Sequence, residues 1–125
     1  MSFPDDDFRG KYLLVDLWAT WCGFCVQEIP HLKALEEKMA GRNIAFVSIS
    51  VDSDKSVWEK YAREKQLTGI QLHAGDDKSF TAPFEINGIP RFILIDKQGN
   101  VLDPQMKLRP SNPDLLPFLE TLEGI

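Results

Sequence analysis

Cysteine is scarce in this 125-residue chain: only Cys22 and Cys25 occur. A zinc site built on cysteine pairs needs a second pair, and none exists. Attachment of a c-type haem needs a histidine directly after the second cysteine, and Val26 stands there. Basic stripes are also missing, and the net charge is −5. Together these disfavour nucleic-acid binding. No apolar run approaches membrane-spanning length. The start, Met1-Ser2-Phe3-Pro4-Asp5-Asp6-Asp7, is acidic and polar and does not read as a signal peptide. There are no internal repeats and no linker, so residues 1–125 read as one domain with one core. A hydrophobic share of 43% and a charged share of 26% are ordinary for a soluble globular protein.

What is present is concentrated in Trp18-Ala19-Thr20-Trp21-Cys22-Gly23-Phe24-Cys25. An apolar run ends here and a helical pattern begins, so the spacing predicts a strand that delivers Cys-x-x-Cys to a helix N-terminus. The unpaired N–H groups and dipole of that first turn favour an anion and lower the pKa of the first thiol. The spacing lets the second thiol attack a mixed disulfide formed at the first. Cys22 is therefore read as nucleophile and Cys25 as resolving cysteine. The competing reading, two inert core thiols, is the weaker one in this context.

The rest of the chain alternates strand and helix patterns. Lys11–Trp18 is a nearly continuous apolar run, as in a strand buried on both faces. Asp16 interrupts it. Either it reaches water, or it is a buried proton acceptor beneath the cysteines with a raised pKa; the second reading is favoured. Gly23–Met39 turns helical, with Ile29, Leu32, Leu35 and Met39 as its apolar stripe, Pro30 inside it and Gly41 as its stop. Lys33, Glu36, Glu37 and Lys38 read as a solvated face. His31 reads as a partly exposed helix residue.

Ile44–Val51 is a second strand, and strand, helix, strand in this order imply a right-handed parallel unit. Asp52 and Ser53 offer N-caps to a helix over Ser56–Leu67, with Trp58 and Tyr61 as packing residues and Gly69 as its end. Ile70–His73 reads as a short strand and Asp76–Phe84 as a short helix; His73 reads as structural or exposed. Asn87-Gly88-Ile89-Pro90 is turn-like. Phe92–Ile95 is a strand, Asp96–Asn100 a tight turn with Gly99 suited to positive φ, and Val101-Leu102 the start of a return strand. Ser111–Asp114 opens a last helix packing through Leu115, Leu116, Phe118, Leu119 and Leu122, with Pro117 best accommodated by a late start.

Three separated motifs resemble the thioredoxin superfamily: Val15–Cys25 its active-site segment, with Pro30 at the position of its helix-kinking proline; Gly88-Ile89-Pro90 its cis-proline segment; and Arg91–Gly99 the tail of its TlpA/ResA-like branch. The resemblance implies a thioredoxin-like α/β fold, a central mixed β-sheet flanked by helices, with an inserted segment before the cis-proline loop. It puts Asp16 at the position of the buried proton acceptor, and Glu28 at the position of a glutamate near the cysteine pair in ResA-like proteins. It also implies a cis Pro90 whose neighbour Ile89 faces the disulfide and can pair with an extended substrate chain. Asp16 and Glu28 are then two candidate proton handlers for Cys25, like-charge repulsion helping to keep one of them protonated, and a solvated helix residue is the equal alternative for Glu28. Phe24 departs from the pattern, since most relatives carry proline there, and this bears on the redox potential.

The expected activity is dithiol–disulfide exchange with protein substrates, supported by an upstream electron donor. Trp21, Gly23, Phe24, Ile89 and Pro90 border the docking surface. No metal or organic cofactor is implied, the working group being the cysteine pair, and a monomer is expected. The branch implies a periplasmic or other extracytoplasmic setting, this chain being a domain of a longer exported protein; a cytoplasmic protein is the alternative. The rival functions are a disulfide oxidase or isomerase, a metal carrier using the cysteine pair and a histidine, a non-enzymatic interaction module, and a peroxiredoxin-like peroxidase. The last lacks its usual threonine, Ala19 standing three residues before Cys22.

Overall fold

The computed structural model describes residues 10–76 and 88–125. The apolar run at the start forms strand β1, Tyr12–Trp18, every residue of which is buried. It occupies the middle of a five-stranded sheet. On one side lies β2 (Ile44–Ser50), paired in parallel, with β3 (Ile70–His73) parallel beyond it. On the other lies β4 (Arg91–Ile95), antiparallel to β1, followed by β5 (Val101–Asp103), antiparallel to β4. The order β3-β2-β1-β4-β5 makes the sheet mixed, as expected.

Alternation along β1 divides the core in two. Tyr12 and Leu14 face helix α1 (Gly23–Lys38) and helix α3 (Leu115–Glu120), packing with Leu32, Leu35, Met39, Leu115 and Leu119. Leu13, Val15 and Leu17 face the other way, with Val47, Ile49, Ile93 and Ile95. A third cluster forms at the C-terminal end of β1, where Trp18, Ala19, Cys22 and Cys25 meet Ile29, Trp58, Tyr61 and Ile89. Trp58 and Tyr61 belong to helix α2 (Lys55–Glu64) and are packing residues. The Tyr61 ring lies 5.7 Å from that of Trp18, and Trp58 stacks on His73 at 5.2 Å.

Several local expectations change. The α2 cap is neither Asp52 nor Ser53 but Asp54, whose carboxylate accepts the Ser56 N–H at 2.9 Å. The helix stops at Glu64, before Gly69, because Gln66 takes φ +52° and breaks the turn first. Pro117 lies within the first turn of α3, where its missing N–H would have had no helical partner. Phe118 faces solvent instead of the core. The expected helix over Asp76–Phe84 falls on residues 77–84, outside the described residues, as does Asn87 of the proline turn.

Candidate active site

Cys22 is the residue that caps α1. Its backbone is extended, and its sulfur accepts the Cys25 N–H at 3.2 Å, the place a serine or aspartate oxygen takes in an ordinary cap. The Cys22 carbonyl accepts the Val26 N–H at 3.0 Å, so the helix begins on the cysteine itself. A thiolate at Cys22 would gain both the Cys25 N–H and the positive end of the helix dipole. In the structure Cys22 and Cys25 are joined as a disulfide. Both are buried, whereas the flanking Trp21 and Phe24 are 71% and 68% exposed. Gly23 between them has open space where a side chain would stand.

The loop before β4 completes the upper surface. The Ile89–Pro90 peptide is cis, and the Ile89 carbonyl oxygen lies 4.0 Å from Cys22 Sγ. Ile89 also packs on the cluster that holds both cysteines. Topology accounts for this meeting: β1 ends and β4 begins at the same edge of the molecule because the two strands are antiparallel neighbours.

Below, Asp16 is 5% exposed. Register places it opposite Ser48 of β2, whose hydroxyl donates to its carboxylate. Burial pushes the Asp16 carboxyl up to about 7; the Ser48 hydrogen bond opposes this and the negative charge of Glu36 adds to it. A small cavity of about 20 Å³ runs from Asp16 past Trp18 and Gln71 to Lys33, Glu36 and Thr68.

The second carboxylate directed at Asp16 is thus Glu36, which the sequence reading left on a solvated face. Glu28 is elsewhere engaged. It is 7% exposed, and its two oxygens accept the backbone N–H and the hydroxyl of Ser111 at 2.8 and 2.7 Å. It fastens the segment before α3 to α1. Asp52 was also missed as a buried group. It accepts the Thr20 N–H at 3.1 Å, the Thr20 hydroxyl at 2.7 Å and the Ser50 hydroxyl, so it anchors the loop that carries the cysteines. The available signal was the period of two: Ser48, Ser50 and Asp52 continue one strand face. His73 donates Nε2–H to the Asp52 carbonyl at 2.6 Å, and His31 is exposed.

Residues 10–101 match the family model described as thioredoxin-like. The thiol-disulfide oxidoreductase ResA of Geobacillus kaustophilus is 30% identical over 95 residues, covering 76% of this chain and 54% of that protein. The chain spans about half the length of the curated relatives it matches. A Bacteroides vulgatus protein provisionally assigned as a thiol-disulfide oxidoreductase has a solution structure with TM-score 0.80 and 49% identity, covering 91% of this chain and 80% of that one. The thioredoxin domain of another thiol-disulfide oxidoreductase from the same organism gives TM-score 0.79 at 28% identity, covering 92% and 81%. Fold, cysteine pair and relatives agree, and the chain belongs to the thioredoxin-like family.

Proposed function

We propose that the chain is a thiol-disulfide oxidoreductase that reduces protein disulfides. The observation that carries this reading is the capping role of Cys22: its sulfur accepts the Cys25 N–H in the first turn of α1, with exposed Trp21 and Phe24 flanking it in the chain and the Ile89 carbonyl 4.0 Å away. In the reduced enzyme the Cys22 thiolate attacks one sulfur of a substrate disulfide. A Cys22–substrate bond forms, the substrate S–S bond breaks, and the leaving thiolate takes a proton. Asp16 accepts the proton of Cys25, and the Cys25 thiolate attacks Cys22 Sγ. The Cys22–Cys25 bond forms, the Cys22–substrate bond breaks and the substrate thiolate departs and takes up a proton from water, so two electrons have passed to the substrate, and Asp16 returns its proton to solvent. An upstream dithiol donor restores the pair.

Trp21 and Phe24 supply apolar contact, the open space over Gly23 admits a chain, and the Ile89 backbone offers strand-like pairing to it. The reading includes an extracytoplasmic setting, a monomeric domain and no cofactor beyond the cysteine pair. ResA-type relatives support the first. A metal carrier would need further ligands beside the pair, and no group of three or more His, Cys, Asp or Glu that could hold an ion forms among the described residues.

The direction of electron flow turns on two opposed features. The helix cap stabilises the Cys22 thiolate and favours an oxidant. Buried Asp16, once ionised, disfavours negative charge near Cys25 and favours a reductant. Equilibration against defined thiol–disulfide buffers tests this. A potential near about −250 mV or lower is expected; one above roughly −180 mV would make the protein an oxidase or isomerase. Cys22→Ser should abolish insulin-disulfide reduction, and Cys25→Ser should accumulate the mixed disulfide.

A further inference from the structure

The cavity beneath α1 has an inner end and an outer end. Asp16, buried, closes the inner one. Lys33 and Glu36, half-buried, and Thr68, exposed, form the outer one. Its volume of about 20 Å³ is that of one water site. Two residues of its wall carry buried polar atoms with no hydrogen-bond partner among the described residues: the Trp18 indole N–H, a donor, and Gln71 Oε1, an acceptor. Such atoms are rarely left unpaired in a folded protein, and a water-sized space walled by residues that carry a donor, an acceptor and a carboxyl suits a bound water.

Glu36 is held at the rim deliberately. The Thr68 hydroxyl donates to its Oε2 at 2.5 Å. Gly69 has φ +72°, and a side chain there would stand 3.0 Å from both Glu36 Oε1 and the Phe46 carbonyl. Lys33, the other charge at the rim, donates to the Lys65 carbonyl at 2.7 Å. The other polar groups of the cavity wall are Ser48 from β2, Gln71 from β3 and Trp18 from β1, none of which is charged at neutral pH, and on the proposed reading Cys25 is the further titratable partner of Asp16.

We infer that Glu36 is a positioning residue for proton exchange at Asp16, a water in the cavity carrying the proton between the buried Asp16 carboxyl and the Glu36 carboxylate, which passes it to solvent. A base with so little exposure needs such a route, since proton transfer requires contact at hydrogen-bond distance or through one water. The proton lost by Asp16 is gained by Glu36 and then by bulk water, so each cycle leaves both carboxyls as they began. Burial holds Glu36 above the ordinary carboxylate range, closer to its partner. The inference rests on Asp16 being the base for Cys25.

Glu36→Gln keeps the shape and the acceptor for Thr68 but removes the charge. Carbon-detected NMR of the Asp16 side chain in the intact protein should show its titration midpoint moving down. Single-turnover resolution of a trapped mixed disulfide should slow several-fold around neutral pH with unchanged thermal unfolding, and Glu36→Asp should recover part of the rate. Lys33→Met, which removes the cation that stabilises the Glu36 carboxylate, should move the Glu36 midpoint up. An Asp16 midpoint and pH–rate profile unaltered by Glu36→Gln would overturn the inference. Failure of the underlying reading looks different: Asp16→Asn would then resolve the mixed disulfide at the parent rate, whatever Glu36 does.

Discussion

Asp16 makes the stability of this protein depend on pH. Its carboxyl keeps a proton to about pH 7 in the folded chain, against 3.8 for an ordinary aspartate. Between those values the folded state binds more protons than the unfolded one, so stability falls as pH rises, and the full penalty is present above about 7. A shift of this size corresponds to at most on the order of 4 kcal/mol. Asp16→Asn cannot ionise, so its melting temperature relative to the parent should climb from pH 4 to pH 8, as calorimetry at a series of pH values would show. The same variant should slow resolution of the mixed disulfide by on the order of 10²-fold at pH 7.5, the usual contribution of a positioned base. A parallel pair of stability curves would mean that Asp16 ionises freely.

At the scale of elements, the molecule depends on polar fastenings between pieces remote in sequence. Ser111 and Glu28 are 83 residues apart and joined by two hydrogen bonds. Ser111→Ala removes one of them from a buried carboxylate and should cost about 1–3 kcal/mol in urea unfolding, with hydrogen exchange rising first in α3. Asp54→Ala removes the α2 cap and should lower the urea midpoint slightly, with exchange rising first in the N-terminal turn of α2. These fastenings also mark how far the sequence could be read. β2 was legible to within a residue because a β-branched apolar run leaves little choice, β3 was legible as the short stretch after Gly69, and Cys22 at the start of α1 was legible because strand and helix patterns abut there. The α2 cap was misplaced because Asp52, Ser53 and Asp54 are adjacent and chemically equal as caps. Only the return of Thr20 beside β2 draws Asp52 inward. Glu36 was hidden for the same reason. Within its own helix it is one charge among several, and only Thr68 and Gln71, brought over it by β3, set it apart. Glu28 was singled out by its position in the ResA-like pattern, but its partner, Ser111, belongs to a segment that no local pattern connects to α1.

The whole molecule carries a net charge of −5, and the recognition surface proposed above centres on two exposed aromatic rings. Long-range attraction should therefore select partners by total charge. The second-order rate of disulfide reduction should fall with added salt for a basic substrate protein and rise for an acidic one, as stopped-flow measurements between about 10 and 150 mM salt would detect. Equal salt dependence for the two would locate recognition wholly in the aromatic contacts.

The central position of β1 also fixes an order of events during synthesis. Cys22 and the Ile89 carbonyl that lies over it are 67 residues apart. A chain emerging from its N-terminus presents both thiols, and even β2 beside them, well before β4 arrives to close the sheet on the other side. Through that interval the nascent chain carries an uncovered dithiol, open to small oxidants and to other nascent cysteines. The surroundings of thiols placed in the first fifth of the sequence are thus completed only by its last third.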